Sequence, residues 1–139
     1  GYDTCLFLNE VGKVAEGPGS CFFMIKDNTV ITPQLTDSVL ESITRDTVIQ
    51  LAKHMGYKVI ERSIDRTELY TCDEAFLCGS AMEITPVLSI DRYTIGNGDT
   101  GNITKNIHLK IDLFEKSEEL EIANEKVFVD AAVNLQRII

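Results

Sequence analysis

The stretch SCFFMIKDNTVITPQLTDSVLESITRDTVIQLAKHMG, residues 20–56, changes its hydrophobic period once, and that change decides the fold. SCFFMIK (20–26) is a nearly unbroken apolar run. KDNT (26–29) is a polar turn, and VIT (30–32) resumes the run before Pro33. Two short apolar runs around such a turn predict a β-hairpin. Beyond it the apolar positions fall at Ile43, Val48, Leu51, Ala52 and Met55, which share one face of an α-helix. Gly56 stands just past the end, where a left-handed cap is wanted. Thr36, Asp37, Ser38 and Ser42 are candidate N-caps.

Upstream, TCLFLNE (4–10) reads as a strand, NEVGK (9–13) as a glycine-containing turn and VAE (14–16) as a further short strand, so residues 4–32 suggest an antiparallel meander. Downstream, YKVIERSI (57–64) reads as a strand. DRTELYTCD (65–73) reads as a short helix in which Asp65 and Glu68 make a variant capping box. EAFLCGSAMEITPVLSI (74–90) reads as two strands around the small-residue break Gly79-Ser80-Ala81. DRYTIGNGDTG (91–101) is a glycine-rich loop. Helical spacing returns from about Ile103, with Ile107, Ile111 and Phe114 on one face. EKSEELEIANEK (115–126) reads as a solvated helix or a hinge, and Val129, Val133 and Ile138 come roughly back into register. The mix of strands and helices implies an α/β or α+β domain.

A chain of 139 residues fits one domain with a real core. The formal net charge of −9 argues against a nucleic-acid partner, which needs a basic stripe, and against an anionic membrane surface. No apolar run approaches the roughly 20 residues of a membrane span, and no signal peptide is visible. The sequence opens on Gly1 rather than Met and reads as a fragment or a processed product. Cys5, Cys21, Cys72 and Cys78 lack the spacing of a zinc knuckle or a redox motif. They read as buried or half-buried thiols in a reducing cytoplasm. His54 and His108 have no second histidine at ligand spacing, so both read as structural or exposed, and no metal is expected.

Three places could carry chemistry. Glu16, in VAEGPGSCFF (14–23), is a lone carboxylate at a strand end beside Gly17 and Gly19. It is either a solvated turn residue or a charge held against a ligand that the glycines let approach. VLESITRD (39–46) is a helix start, whose free N–H groups and dipole suit a phosphate, with the Thr44 hydroxyl added. Its plain reading is a capped helix. LCGSAMEITP (77–86) exposes backbone donors at its small-residue break, or is only a bulge. Together they suit one ligand carrying a phosphate and a basic ring nitrogen, with a carboxylate partner, such as pyridoxal phosphate bound to an amino acid.

EGPGSCFF, LESITRDTVIQLAKHMG, ERSIDRTELYTCDEAFLCGSAMEITPV and IGNG resemble the C-terminal large domain of branched-chain amino acid aminotransferases, fold type IV pyridoxal-phosphate enzymes. The resemblance covers residues 1–107 and leaves 108–139 as a divergent helical tail. It implies a mixed sheet or pseudo-barrel with flanking helices. It also implies a role for each matching position. Glu16 would face the pyridine nitrogen and keep it protonated. The Ile43 and Thr44 amides and the Thr44 hydroxyl would hold the phosphate. Leu40 would pack near the ring. Ser80 would reach the phosphate, and the Ser80 and Ala81 amides would receive the substrate carboxylate. Many members carry Asn where Cys21 stands and Gly where Ser42 stands.

The family's Schiff-base lysine lies further upstream of the glutamate than this chain extends, and the small N-terminal domain is absent, so no catalytic residue is assigned. The resemblance implies transamination of Leu, Ile or Val with 2-oxoglutarate by a cytoplasmic homo-oligomer, with this chain inactive alone. A D-amino acid aminotransferase or an aminodeoxychorismate lyase shares the fold. A non-catalytic binding module is the alternative of another class.

Overall fold

The structure, a computed structural model, describes residues 1–80 and 83–138, with side chains described through Glu119 and at Glu121. The hairpin forms as its sequence predicts. Strand β1 (Ser20–Lys26) pairs antiparallel with β2 (Thr29–Thr32), and Ile25 faces Val30. Asp27 and Asn28 make the turn at φ 50° and 58°, the left-handed region that Asn and Asp tolerate. Helix α1 (Ile43–His54) follows, and β3 (Lys58–Glu61) returns parallel to β2. The crossover is thus a βαβ unit. Strand β4 (Glu74–Gly79) lies on the other side of β1, and β5 (Ile84–Pro86) completes a mixed five-stranded sheet in the order β3-β2-β1-β4-β5.

The apolar runs of β1 and β4 are continuous because both faces of the sheet are covered. Cys21, Phe23 and Ile25, with Phe76 and Cys78, pack under α1 (Val48, Ile49, Ala52) and under Ile103, Ile107 and Ile111 of α2 (Asn102–Ile138). Phe22, Met24, Ala75 and Leu77 face the opposite layer, with Val14, Ile64 and Leu69. Phe23 and Phe76 are direct cross-strand partners with rings stacked 5.0 Å apart. Each such fully buried ring contributes roughly 1.5–3 kcal/mol by removal from water. Among the described residues no helix is long and apolar enough to cross a membrane.

Several expectations need correction. TCLFLNE does not form a full strand. It makes a single bridge, Leu8 to Val14, and the Phe7 amide donates to the Glu16 carbonyl at 2.8 Å. The segment meets a partner on one edge only, and Phe7 and Leu8 stay half in solvent. The meander is therefore only the β1–β2 hairpin. β3 is shorter than predicted. The glycine-rich loop contains β7 (Tyr93–Thr94), which pairs with β6 (Ser89–Ile90) around Asp91 and Arg92 at φ 51° and 70°.

On α1 the buried face is Thr44, Arg45, Val48, Ile49 and Ala52. Ile43 is 83% exposed, because it lies on the outward stripe of the helix with Thr47, Gln50 and His54 rather than on the buried face. Residues 65–73 close as a 3₁₀ turn (Arg66–Tyr70) with the predicted Asp65/Glu68 capping box. α2 is one continuous helix, so 115–126 is no hinge in its backbone. The side chains of Val129, Val133 and Ile138 lie outside the described residues. Cys5 is exposed, whereas the other three cysteines are buried, and His54 and His108 are exposed.

Candidate functional site

The turn Glu16–Ser20 delivers the chain into β1. Gly17 and Ser20 exchange backbone hydrogen bonds, at 3.0 and 3.2 Å, and Gly19 adopts φ +62°. A Cβ on Gly17 would lie 2.6 Å from the Ser20 hydroxyl and 3.3 Å from Leu77, so a larger residue there would force the Ser20 side chain to turn away. Register then carries the opposite strand to the same place: Ser20 faces Gly79 and Cys21 faces Cys78, so β4 runs out into Ser80 beside the turn. Helix α1 begins here as well. Its N-cap, Ser42, accepts from the Arg45 amide at 3.0 Å and lies 3.3 Å from the Cys21 sulfur.

Glu16 is half-buried, and its Oε2 accepts a hydrogen bond from the Leu40 amide at 3.2 Å. The predicted acid and the predicted phosphate-binding turn therefore meet at one end of the sheet. Helix geometry leaves the Ile43 and Thr44 amides without an intrahelical acceptor, at the positive end of the α1 dipole. Thr44 is buried, whereas Leu40, Ile43 and Ser80 are exposed. Ala81 lies outside the described residues.

This set forms an open face rather than a closed cavity. A cavity of about 390 Å³ lies elsewhere, against Cys5, Leu6, Leu69, Leu77 and Ile90. A more open one of about 570 Å³ runs along Leu35, Ser42, Ile43, Arg45 and Glu61. Neither is lined by Glu16, Leu40, Thr44 or Ser80. The chemistry is better read from the donor set than from enclosed volume. Amide and hydroxyl donors at the start of α1 and a carboxylate at Glu16 are the kinds of group that suit a phosphate and a protonated ring nitrogen.

Sequence reasoning missed Arg45. Its guanidinium is buried, donating to the Pro33 carbonyl at 3.0 Å and to Glu61 at 2.6 Å. It ties the first turn of α1 to the ends of β2 and β3. A cation in the first turn opposes the helix dipole, and that mismatch was the available signal. Burial pushes the Cys21 thiol up, partly offset by the Ser42 hydrogen bond, so a neutral thiol underlies the helix start. Among the described residues no group of three metal-ligating side chains is placed to hold an ion.

The family described as amino-transferase class IV matches residues 1–90. The chain is 51% identical over 108 residues to a probable branched-chain-amino-acid aminotransferase of Aquifex aeolicus, covering 77% of this chain and 35% of that protein. It is 44% identical over 107 residues to the branched-chain-amino-acid aminotransferase of Escherichia coli, covering 77% and 35%. The crystal structure of the E. coli enzyme superposes with a TM-score of 0.75. The Thermobaculum terrenum branched-chain amino acid aminotransferase, solved in its PLP-form, gives a TM-score of 0.77 at 54% identity, covering 81% of this chain and 38% of that one. The chain thus spans about a third of the length of the curated relatives it matches. The matched residues, the mixed sheet and its helices lead to one assignment: the chain belongs to the amino-transferase class IV family, with the fold type IV architecture.

Proposed function

We propose that this chain is the cofactor-binding large-domain part, residues 1–107 with a helical tail, of a branched-chain amino acid aminotransferase acting on Leu, Ile or Val and 2-oxoglutarate. The observation that supports the reading is the 3.2 Å hydrogen bond from the Leu40 amide to Glu16, which joins the acid to the segment leading into α1. Pyridoxal 5′-phosphate, when bound, supplies the electron sink for cleavage at the substrate Cα. The Ile43 and Thr44 amides, with the Thr44 hydroxyl, hold its phosphate. Glu16 holds a proton at the ring nitrogen, because an adjacent carboxylate favours the charged form. Leu40 packs against the ring. Ser80 reaches the phosphate, and the Ser80 and Ala81 amides orient the substrate carboxylate.

The base that takes the Cα proton comes from sequence outside this chain. Lys13 is paired with Asp65, and Lys26 donates to the Thr71 carbonyl. The open face is completed by the rest of the enzyme and by a second subunit of a homo-oligomer. A cytoplasmic setting suits the free cysteines.

The test is a chimaera in which residues 1–107 replace the matching stretch of the E. coli enzyme. Glutamate production from leucine and 2-oxoglutarate is expected, without turnover of D-alanine. A folded chimaera that loads pyridoxal phosphate and turns over D-alanine instead would reject the branched-chain assignment.

A further inference from the structure

Glu16 has a neighbour that its role at a ring nitrogen does not explain. The segment from Ser38 to Ser42 has little burial to hold it. Ser38 is left-handed at φ 65°, Leu40 is 71% exposed and Ile43 beyond it is 83% exposed. Besides the Ser42 cap on the Arg45 amide, two side-chain contacts from outside the segment pin it. The Glu16 carboxylate takes the Leu40 amide at 3.2 Å, and Cys21 meets the Ser42 hydroxyl at 3.3 Å. Both anchors come from one short piece of chain, the turn entering β1 and the first residues of that strand. Glu16 reaches across 24 residues of sequence to do this.

We propose that Glu16 is also a positioning residue for the phosphate-binding turn, fixing Leu40 and, three residues on, the Ile43 and Thr44 amides. This rests on the cofactor reading above. One carboxylate then serves both ends of the ligand: Oε2 orders the turn, and Oε1 remains for the ring. The two duties have different chemical requirements. Holding the Leu40 amide needs an acceptor at the right reach. Holding a protonated ring needs negative charge.

Two variants separate these requirements. Glu16→Gln keeps the reach and an acceptor oxygen but loses the charge. Glu16→Asp keeps the charge but is one methylene too short for Leu40. The measurement is amide hydrogen exchange across residues 38–46 of the chain, with inorganic phosphate and pyridoxal 5′-phosphate titrated separately. Exchange at Leu40 is expected to rise roughly five- to tenfold in Glu16→Asp, as for loss of one hydrogen bond, and to stay within about twofold of wild type in Glu16→Gln. Inorganic phosphate is expected to bind about threefold more weakly to Glu16→Asp and no more weakly to Glu16→Gln. Equal exchange at Leu40 in wild type and Glu16→Asp, or faster exchange in Glu16→Gln than in Glu16→Asp, would overturn the positioning role. Should the exchange pattern hold while a folded chimaera carrying residues 1–107 in the E. coli enzyme loads no pyridoxal 5′-phosphate, Glu16 still orders residues 38–42 and the cofactor reading falls.

Discussion

Oε2 of Glu74 accepts both the amide of Thr104, at 2.8 Å, and its hydroxyl, at 2.6 Å. Oε1 takes the Ile103 amide at 3.1 Å. A carboxylate at the start of β4 thus caps the first turn of α2 from 30 residues away and complements its dipole. Glu74→Ala is expected to cost about 2 kcal/mol, read from urea unfolding. Gly101 lies against the same carboxylate: a Cβ there would fall 1.9 Å from Glu74 Cδ. Gly101→Ala should therefore destabilise by about 1–3 kcal/mol in wild type and by much less in the Glu74→Ala background. Additive costs in that double-mutant cycle would contradict the contact.

Ser42 should tell alanine from glycine. Its hydroxyl caps α1 by accepting from the Arg45 amide. Ser42→Ala is expected to lower stability by about 1 kcal/mol and Ser42→Gly by only a few tenths, because glycine is itself an acceptable N-cap. Matched urea midpoints for the two variants would show that the cap contributes nothing.

The Arg62–Glu68 pair should make stability sensitive to acid. The Arg62 guanidinium, with help from the Asp65 amide, holds the Glu68 carboxyl below its ordinary value. The folded-state value is the lower one, so the stabilisation is present above the ordinary glutamate pKa and disappears as pH falls through the folded value. Both side chains are about a third exposed, which keeps the effect below about 1 kcal/mol. The stability gap between wild type and Glu68→Gln should therefore shrink on acidification and persist at neutral pH. A gap that widens in acid would refute the assignment.

The cysteines should divide by exposure. Burial raises the Cys72 thiol to about 11 and the Cys78 thiol to about 12, and Cys21 is also buried and raised. Only Cys5 is exposed. Titration with a chromogenic disulfide reagent should count one fast thiol per native chain and all four after denaturation. Modification of Cys21 or Cys78 at the rate of Cys5 would show that the sheet opens at that end.

Produced alone, the 139-residue chain is expected to show no measurable transamination of leucine with 2-oxoglutarate, assayed as glutamate formation. None of its side chains is assigned to take the Cα proton, a contribution that ordinarily supplies about 10²–10⁴-fold in rate. Substantial turnover by the isolated chain would require a base among its own residues.

How far the sequence could be read depends on the range of the interaction concerned. The hairpin at Asp27-Asn28, the helix ending at Gly56 and the Asp65/Glu68 capping box were legible because each is encoded within a few neighbouring residues. TCLFLNE misled because a short apolar run reports a preference for strand but not the presence of a neighbour to pair with. Ile43 misled because apolar character does not by itself mark the buried face, which runs through Thr44, Arg45, Val48, Ile49 and Ala52 and leaves Ile43 outside.

By itself, then, the sequence determined the local elements, the acid at Glu16, the hydroxyl at Thr44 and the small-residue break at Ser80. Tertiary structure alone decided that Glu16 holds Leu40, that Arg45 locks the start of α1 to the ends of β2 and β3, and that Glu74 caps α2. Each of these joins residues 12 to 30 positions apart through one to three polar contacts, at separations set by strand register and helix docking. Local propensity has no access to such distances, because they exist only once the sheet has brought its ends together.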